Sequence, residues 1–442
     1  MSPPSLPAPE EISQPLAVRP TCHSYSVTAI GLTLQMVLDS AVSFRACSLV
    51  VELVQEFLPQ FHAAPAPNTV ESWLLRLGLH ELQRPKERAD DWILLIDHTL
   101  QLGVRKCLLI VGIRQSTWEQ LDQPLTHQDL TMLTLEPVVK SDGAQVARQL
   151  EAVVKQIGTP MAILNDEGSD LIKGAANLKD KHAETLVLND IAHKAAVFLK
   201  RELLADSRWE AFVKHCGQTQ PKVKQTELGH LAPPTLKVKA RYMNLSPLIC
   251  WGAKMLRLVE AAPAERPVEL DGSRLEEKFG WIRNFATALV DWNDMAAVIE
   301  RVLEYARIRG YHADASEELR QSLQPVVTTA SGQRMATALI EFVKEQSKGI
   351  KPGHSLPASS EVLESLIGKG KRIQGQHSRG GFTKLILGMA ASVVQITSDR
   401  VCEALETVRN ADLIAWCERN LGVSLTAQRR QALPQITGTK TG

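Results

Sequence analysis

Four acidic residues fall at positions where chemistry and structure compete to explain them. The run Trp-Ile-Leu-Leu-Ile at 92–96 leads straight into Asp97, and Ala-Ile-Leu-Asn at 162–165 leads into Asp166. Asp190 follows a third apolar run, with His193 one helical turn on, and Glu364 lies in Ser-Ser-Glu-Val-Leu-Glu at 359–364. If the first and fourth strands of a sheet lie side by side and parallel, Asp97 and Asp166 project from the same edge. Two carboxylates there repel each other unless a cation sits between them, and Mg²⁺ is the ordinary answer. A few hard oxygen donors, with positions left open for water and phosphate oxygens, describe a two-metal phosphodiester site. Alone, each residue has a plainer reading. Asp97 and Asp166 can form turns, Asp190 can cap a helix, His193 can pack within one, and Glu364 can face solvent. Asp170 competes with Asp166 for the second position, and Glu361 with Glu364 for the last.

The elements that would position these residues follow from hydrophobic spacing. Residues 24–90 read as helical. Phe44, Leu49, Val50, Leu53 and Phe57 share one face, and a short loop precedes a helix for which Asn68 or Thr69 is available as the N-cap. This is the outline of a helix-turn-helix unit or of a plain helical hairpin, and the segment is slightly acidic. From residue 91 the pattern changes to three close strands, then helix, strand, helix, strand, helix, an order βββαβαβα. Runs dense in Leu, Ile and Val suit strands buried on both faces, with mixed pairing because the first three lie too close for crossovers. Asp97 closes the first strand on this reading, and Asp166 the fourth. Strand signals vanish from 205 to 350, a helical stretch with Trp209, Trp251, Trp281 and Trp292. A further helical block fills 351–433, a polar tail takes 434–442, and residues 1–23 read as a disordered, proline-rich lead-in.

Composition narrows the class without choosing a function. A hydrophobic share of 44% against 22% charged residues is that of a globular chain with real cores. The net charge of +1 excludes a global polyanion-binding character, so any nucleic-acid surface is local. Seven scattered cysteines with no zinc spacing read as free thiols in a reducing, cytosolic setting. No apolar run is long enough to span a bilayer.

The ordered acids carry a resemblance. Strand-Asp97, strand-Asp166, strand-Asp190-Ile-Ala-His193, a helical stretch, then Glu364 and basic residues resembles a DDE transposase of the ribonuclease H-like fold. Asp190-Ile-Ala-His193 matches the C/D-x-x-H signature of hAT-like transposases, in which a helical insertion interrupts the core. Ser359-Ser360 through Glu364, Ser365, Gly368 and Lys371 is similar to a segment of bacterial insertion-sequence transposases, though Ile367 and Gly370 stand where that family carries aromatics. The resemblance implies an α/β ribonuclease H-like core interrupted by an all-helical insertion, with a helix-turn-helix-like DNA-binding region before it. It implies Asp97, Asp166 and Glu364 as catalytic metal ligands for two Mg²⁺ ions, for which Mn²⁺ can substitute, with Asp190 and His193 in support. DNA contacts would come from Thr69 and Arg76, from Lys222, Lys224, Lys237 and Lys239, and from Lys369, Lys371 and Arg372. The partners implied are element-end and target DNA and a second or further copy of the chain, with no membrane. The setting implied is a bacterial cytoplasm, nucleoid-associated when on DNA. Cutting without joining, as in a nuclease or resolvase, and DNA binding without catalysis are the alternatives.

Overall fold

The computed structural model describes residues 18–57, 63–102, 105–235, 245–265, 267, 270–375, 383–422 and 432. Three helices come first: α1 (Val27–Leu38), α2 (Phe44–Phe57) and α3 (Pro67–Gln83). A mixed five-stranded sheet follows, in the order β3-β2-β1-β4-β5. β1 (Trp92–Leu102) and β2 (Arg105–Arg114) form an antiparallel hairpin. A short α4 (Gln115–Trp118) then leads to β3 (Thr131–Val138) on the outside of β2. The helical crossovers α5 (Gly143–Ile157) and α6 (Ser169–Lys179) bring β4 (Ala162–Asn165) parallel to β1 and β5 (Leu186–Asn189) parallel to β4. α7 (Ile191–Ala205) leaves the sheet. The order is compatible with the ribonuclease H-like core expected from the sequence.

The strand runs are apolar throughout because both faces are covered. Leu94, Ile96, Leu108, Ile110 and Ile163 pack under α5 and α6, while Ile93, Leu95, Leu109, Leu164 and Leu188 belong to the large core on the opposite face. β1 is longer than the sequence suggests, and Asp97 does not end it. β4 accompanies β1 only as far as the Ile96–Asn165 pair, whereas β2 continues beside it, with a register shift between His98 and Leu100. The carboxylate therefore stands where the parallel partner stops, not where the strand stops.

The helical stretch contains α8 (Ser207–Val223), α9 (Leu245–Glu260), α10 (Gly272–Phe279), the 24-residue α11 (Ala286–Arg309), α12 (Ala315–Leu323) and α13 (Ala330–Gln346). Its way back to the sheet is marked by a feature absent from the sequence reading. Two residues of β6 (Tyr311–His312) pair with β7 (Ser355–Leu356). At Gly310, φ is +63° and a Cβ would sit 2.1 Å from the Leu356 carbonyl, so this chain junction needs glycine. α14 (Glu361–Gly375), α15 (Leu387–Ala391), α16 (Ser398–Thr407) and α17 (Asn410–Asn420) complete the chain.

The amino-terminal helices do not stand apart. α3 is packed by α1, α2, α15, α16 and α17 and touches β3. Gly78 lets the α15 backbone approach so closely that a Cβ would lie 2.0 Å from the Leu387 carbonyl. Val70, Trp73, Leu74, Leu77 and Leu79 of α3 are buried, the environment of a core helix rather than of one free to enter a DNA groove. Its N-cap is Ala66, with Pro67 in the first turn, rather than Asn68 or Thr69; proline's fixed φ and missing N–H suit that position. Part of the expected lead-in is also packed, since Thr21 donates its N–H and hydroxyl to Glu406, each at 2.7 Å.

Candidate active site

Sheet register builds the site. Ile96, Asn165 and Asn189 form one row across β1, β4 and β5, and the next residue of each strand path is an aspartate: Asp97, Asp166, Asp190. Neighbouring strands lie about 4.8 Å apart, which sets the scale of the spacing. Two-residue alternation puts Asp97 in phase with Ile93 and Leu95, and Asp166 in phase with Ala162 and Leu164, on the sheet face where α14 approaches β1. The turn after Asp166 is tightly specified. Asp166 accepts from Gly168 N–H at 3.0 Å, and Asn165 accepts from Glu167 N–H at 2.9 Å. Glu167 adopts φ +64°, uncommon for a non-glycine residue, and Lys194 of α7 holds its carboxylate at 2.9 and 3.1 Å.

Asp190 is the bracket of the site. It is buried, and one oxygen caps α7 by accepting from the N–H groups of Ala192 (2.6 Å) and His193 (3.2 Å). The other accepts from Ser360 N–H at 2.9 Å and from the Ser360 hydroxyl, at the start of α14. Ile191 N–H adds a bond to Ala358. The helix carrying Glu364 is thus moored to the end of β5. Gly370, where the resembled family has an aromatic, packs against α15: a Cβ there would meet Met389 at 2.1 Å.

The acids divide into two groups. Asp170 binds Lys106 (3.0 Å) and His98 (2.9 Å), Glu361 binds Arg307, and Asp190 is spent on caps. Among the described residues, Asp97 accepts only from the next backbone N–H, His98, at 2.5 Å. Among the described residues, Asp97, Asp166 and Glu364 make no ion pair. The consequence is visible in proton affinity. Burial, then repulsion from Asp166, Glu364 and Asp190, pushes Asp97 up to about 7. Burial, then repulsion from Asp190, Glu361 and Asp166, pushes Glu364 up to about 7, although its solvent-facing side screens part of this effect. By contrast Asp170, despite its burial, is held near 2 by Lys106, Ser141 and His98.

Carboxylate oxygens are the donors that a hard divalent cation takes. Asp97 is repelled by Asp166 and Glu364, and a hard cation between them is what would relieve that repulsion. Among the described residues no three His, Cys, Asp or Glu side chains already converge as a complete ligand set. Mg²⁺ does not require one, since it takes one or two carboxylates with waters and substrate phosphates.

The other expected residues are distributed differently. His193 is half-buried and its backbone N–H serves the Asp190 cap. Lys371 lies two turns along α14 from Glu364, on the same face, and its charge partly lowers the Glu364 carboxyl. Arg372 is exposed, while Lys369 pairs with Asp39 at 3.3 Å. Lys222 and Lys224 are exposed at the end of α8; Lys237 and Lys239 lie outside the described residues. Thr69 sits in the first turn of α3. Arg76 is not a free surface cation: it bonds the carbonyls of Val408 (2.6 Å) and Leu405, holding the end of α16. Trp209 and Trp292 are core, Trp251 and Trp281 partly buried, and the last donates its indole N–H to Lys278. Sequence reasoning missed His98, Lys106 and Arg307. Their roles depend on partners 72, 64 and 54 positions away, which no local pattern discloses.

No family model and no curated protein matches the chain. Among solved structures, the chain is similar to the Drosophila P element transposase strand transfer complex, at 10% identity and a TM-score of 0.42, over 84% of this chain and 92% of that one.

Proposed function

We propose that the chain is a DNA transposase of the DDE type, built on a ribonuclease H-like core, that binds the ends of its element and cuts and joins DNA. The observation that carries the reading is the division of acids. Asp97 is repelled by both Asp166 and Glu364, and among the described residues none of the three has an ion-pair partner, while Asp170, Glu361 and Asp190 are each held by other partners. An unrelieved carboxylate cluster costs stability, and a protein retains such a cost where the cluster binds something.

In this reading Asp97 and Asp166 hold one Mg²⁺, and Asp97 with Glu364 a second; Mn²⁺ can replace them. Bound there, the cations supply an acidified water for hydrolysis and charge neutralisation at the 3′-oxygen that leaves. Asp190 keeps α14, and with it Glu364, against the sheet. Lys371 offers a phosphate contact on the face of Glu364, and Arg372, Lys222 and Lys224 extend the cationic surface without reading sequence. His193 would contact the scissile phosphate or a displaced base, or serve only as packing. The liberated 3′-hydroxyl then attacks a target phosphodiester, so one bond forms as another breaks. Joining two ends at once calls for a homodimer or larger assembly.

The test uses a labelled duplex carrying the DNA that flanks the gene, with Mg²⁺ or Mn²⁺, and compares wild type with Asp97→Ala and Glu364→Ala. Metal-dependent nicking and strand transfer, lost in both variants with DNA binding retained, is the expected result. Cutting without joining would make the chain a nuclease or resolvase. Tight binding with no cutting by wild type would make it a DNA-binding protein only.

A further inference from the structure

We infer that Arg307, in the last turn of the insertion helix α11, is a positioning residue for Glu364, acting by clamping Glu361 at the first turn of α14. The inference rests on the reading of Glu364 as a site acid. The clamp is bidentate: Nε donates to one Glu361 oxygen and Nη2 to the other, both at 2.8 Å. A planar two-bond pair fixes direction as well as distance, which a single lysine contact does not.

The surroundings make this pair the lateral tether of α14. A cavity of about 470 Å³, lined by Trp118, Leu125, His127 and Val362, reaches both residues on one side. A second, of about 360 Å³, lined by Leu199, Cys250 and Ile299, reaches both on another. Space therefore lies on both sides of the pair, and among the described residues this ion pair joins α11 to the start of α14 there. The Asp190–Ser360 bracket holds the same helix start from the sheet side. One mooring comes from the core and the other from the insertion, so the insertion takes part in placing the third acid. Glu361 also lies one turn from Glu364 and repels it. Engaged with Arg307, it is kept from joining the cluster as a competing carboxylate.

Pairs as exposed as this one contribute little to stability, so truncation leaves the fold intact and any effect is local. The experiment compares wild type, Arg307→Ala and Arg307→Lys by hydrogen exchange over residues 361–367 and by metal-dependent cleavage of the duplex. The alanine variant should exchange faster in that segment alone. Its kcat should fall by about 10–100-fold, the usual effect of losing a supporting contact, at unchanged KM for DNA. Lysine should restore part of both. Wild-type exchange over 361–367 in Arg307→Ala would overturn the inference, as would a wild-type kcat. If wild type itself shows no metal-dependent cleavage, the proposed function fails, and the exchange comparison still decides the clamp.

Discussion

The two ends of β1's parallel stretch carry acids treated in opposite ways. Before the strand, Asp91 is met by the Arg114 guanidinium and by the Ser116 N–H (3.3 Å) and hydroxyl (2.9 Å), and Arg114 also binds Glu87 at 2.7 Å. Burial works against the charge, yet these bonds hold the Asp91 carboxyl below its ordinary value. At the other end Asp97 meets Asp166 and Glu364 with no cation among the described residues, and its carboxyl is pushed up to about 7. One fold thus compensates an acid at the edge where it serves structure and leaves acids uncompensated at the edge where the parallel strands end. Crevices at such strand ends are where open α/β sheets bind ligands.

Removing one acid at a time separates the roles of the two edges. Asp97→Ala and Asp166→Ala should each lower metal-dependent cleavage by about 1,000-fold or more, a loss of roughly 4 kcal/mol of transition-state stabilisation. Asp91→Ala should leave the rate within about 2-fold and cost roughly 1–2 kcal/mol of unfolding free energy in denaturant titrations. Equal losses of rate at both edges would erase the distinction.

Asp190→Ala sharpens the boundary between structure and site. It leaves the Ser360 N–H and two α7 N–H groups without their buried acceptor, which should cost about 2–3 kcal/mol. Cleavage should fall with it, because the start of α14 is released. Full stability in this variant would remove the bracket from the account.

A smaller effect concerns pH. A carboxyl with a higher pKa folded than unfolded holds its proton more readily in the folded state. Its destabilising contribution therefore begins near pH 4, where the unfolded chain ionises, and is complete above about 7. Metal-free protein should lose melting temperature as pH rises from 5 to 7.5. Asp97→Asn should flatten that slope and raise Tm by a few degrees at pH 7.5, about 1 °C for each kcal/mol recovered in a chain of 442 residues. Asp170→Asn is the matched control with the opposite sign. Its folded carboxyl lies near 2, so its stabilisation is present above pH 4 and lost as pH falls towards 2.

Much of the sheet was legible in the sequence because burial on both faces writes itself as unbroken apolar runs, as in Trp92–Ile96 and Ala162–Leu164. The crossovers α5 and α6 were legible from helical spacing. What escaped has physical reasons. The first strand was expected to close at Asp97, yet hairpin pairing with β2 carries it on to Leu102. The α3 segment has the outline of a recognition helix, and only tertiary packing on α15 and α16 reveals it as core. The aspartates could be nominated from strand ends, but the ion pairs that set Asp170 apart from Asp166, and Glu361 from Glu364, run to Lys106 and Arg307. Those partners are brought close by folding alone.

On the proposed function, the uncompensated acids form a cation site and the compensated ones do not. Calorimetric titration of Mn²⁺ into DNA-free protein at pH 7.5 tests it without knowledge of the DNA substrate. Wild type should bind, with affinity weakened at least about 10-fold by Asp97→Asn and by Asp166→Asn and little changed by Asp170→Asn or Asp91→Asn. No binding by wild type, or binding lost with Asp170→Asn and kept with Asp97→Asn, would contradict it.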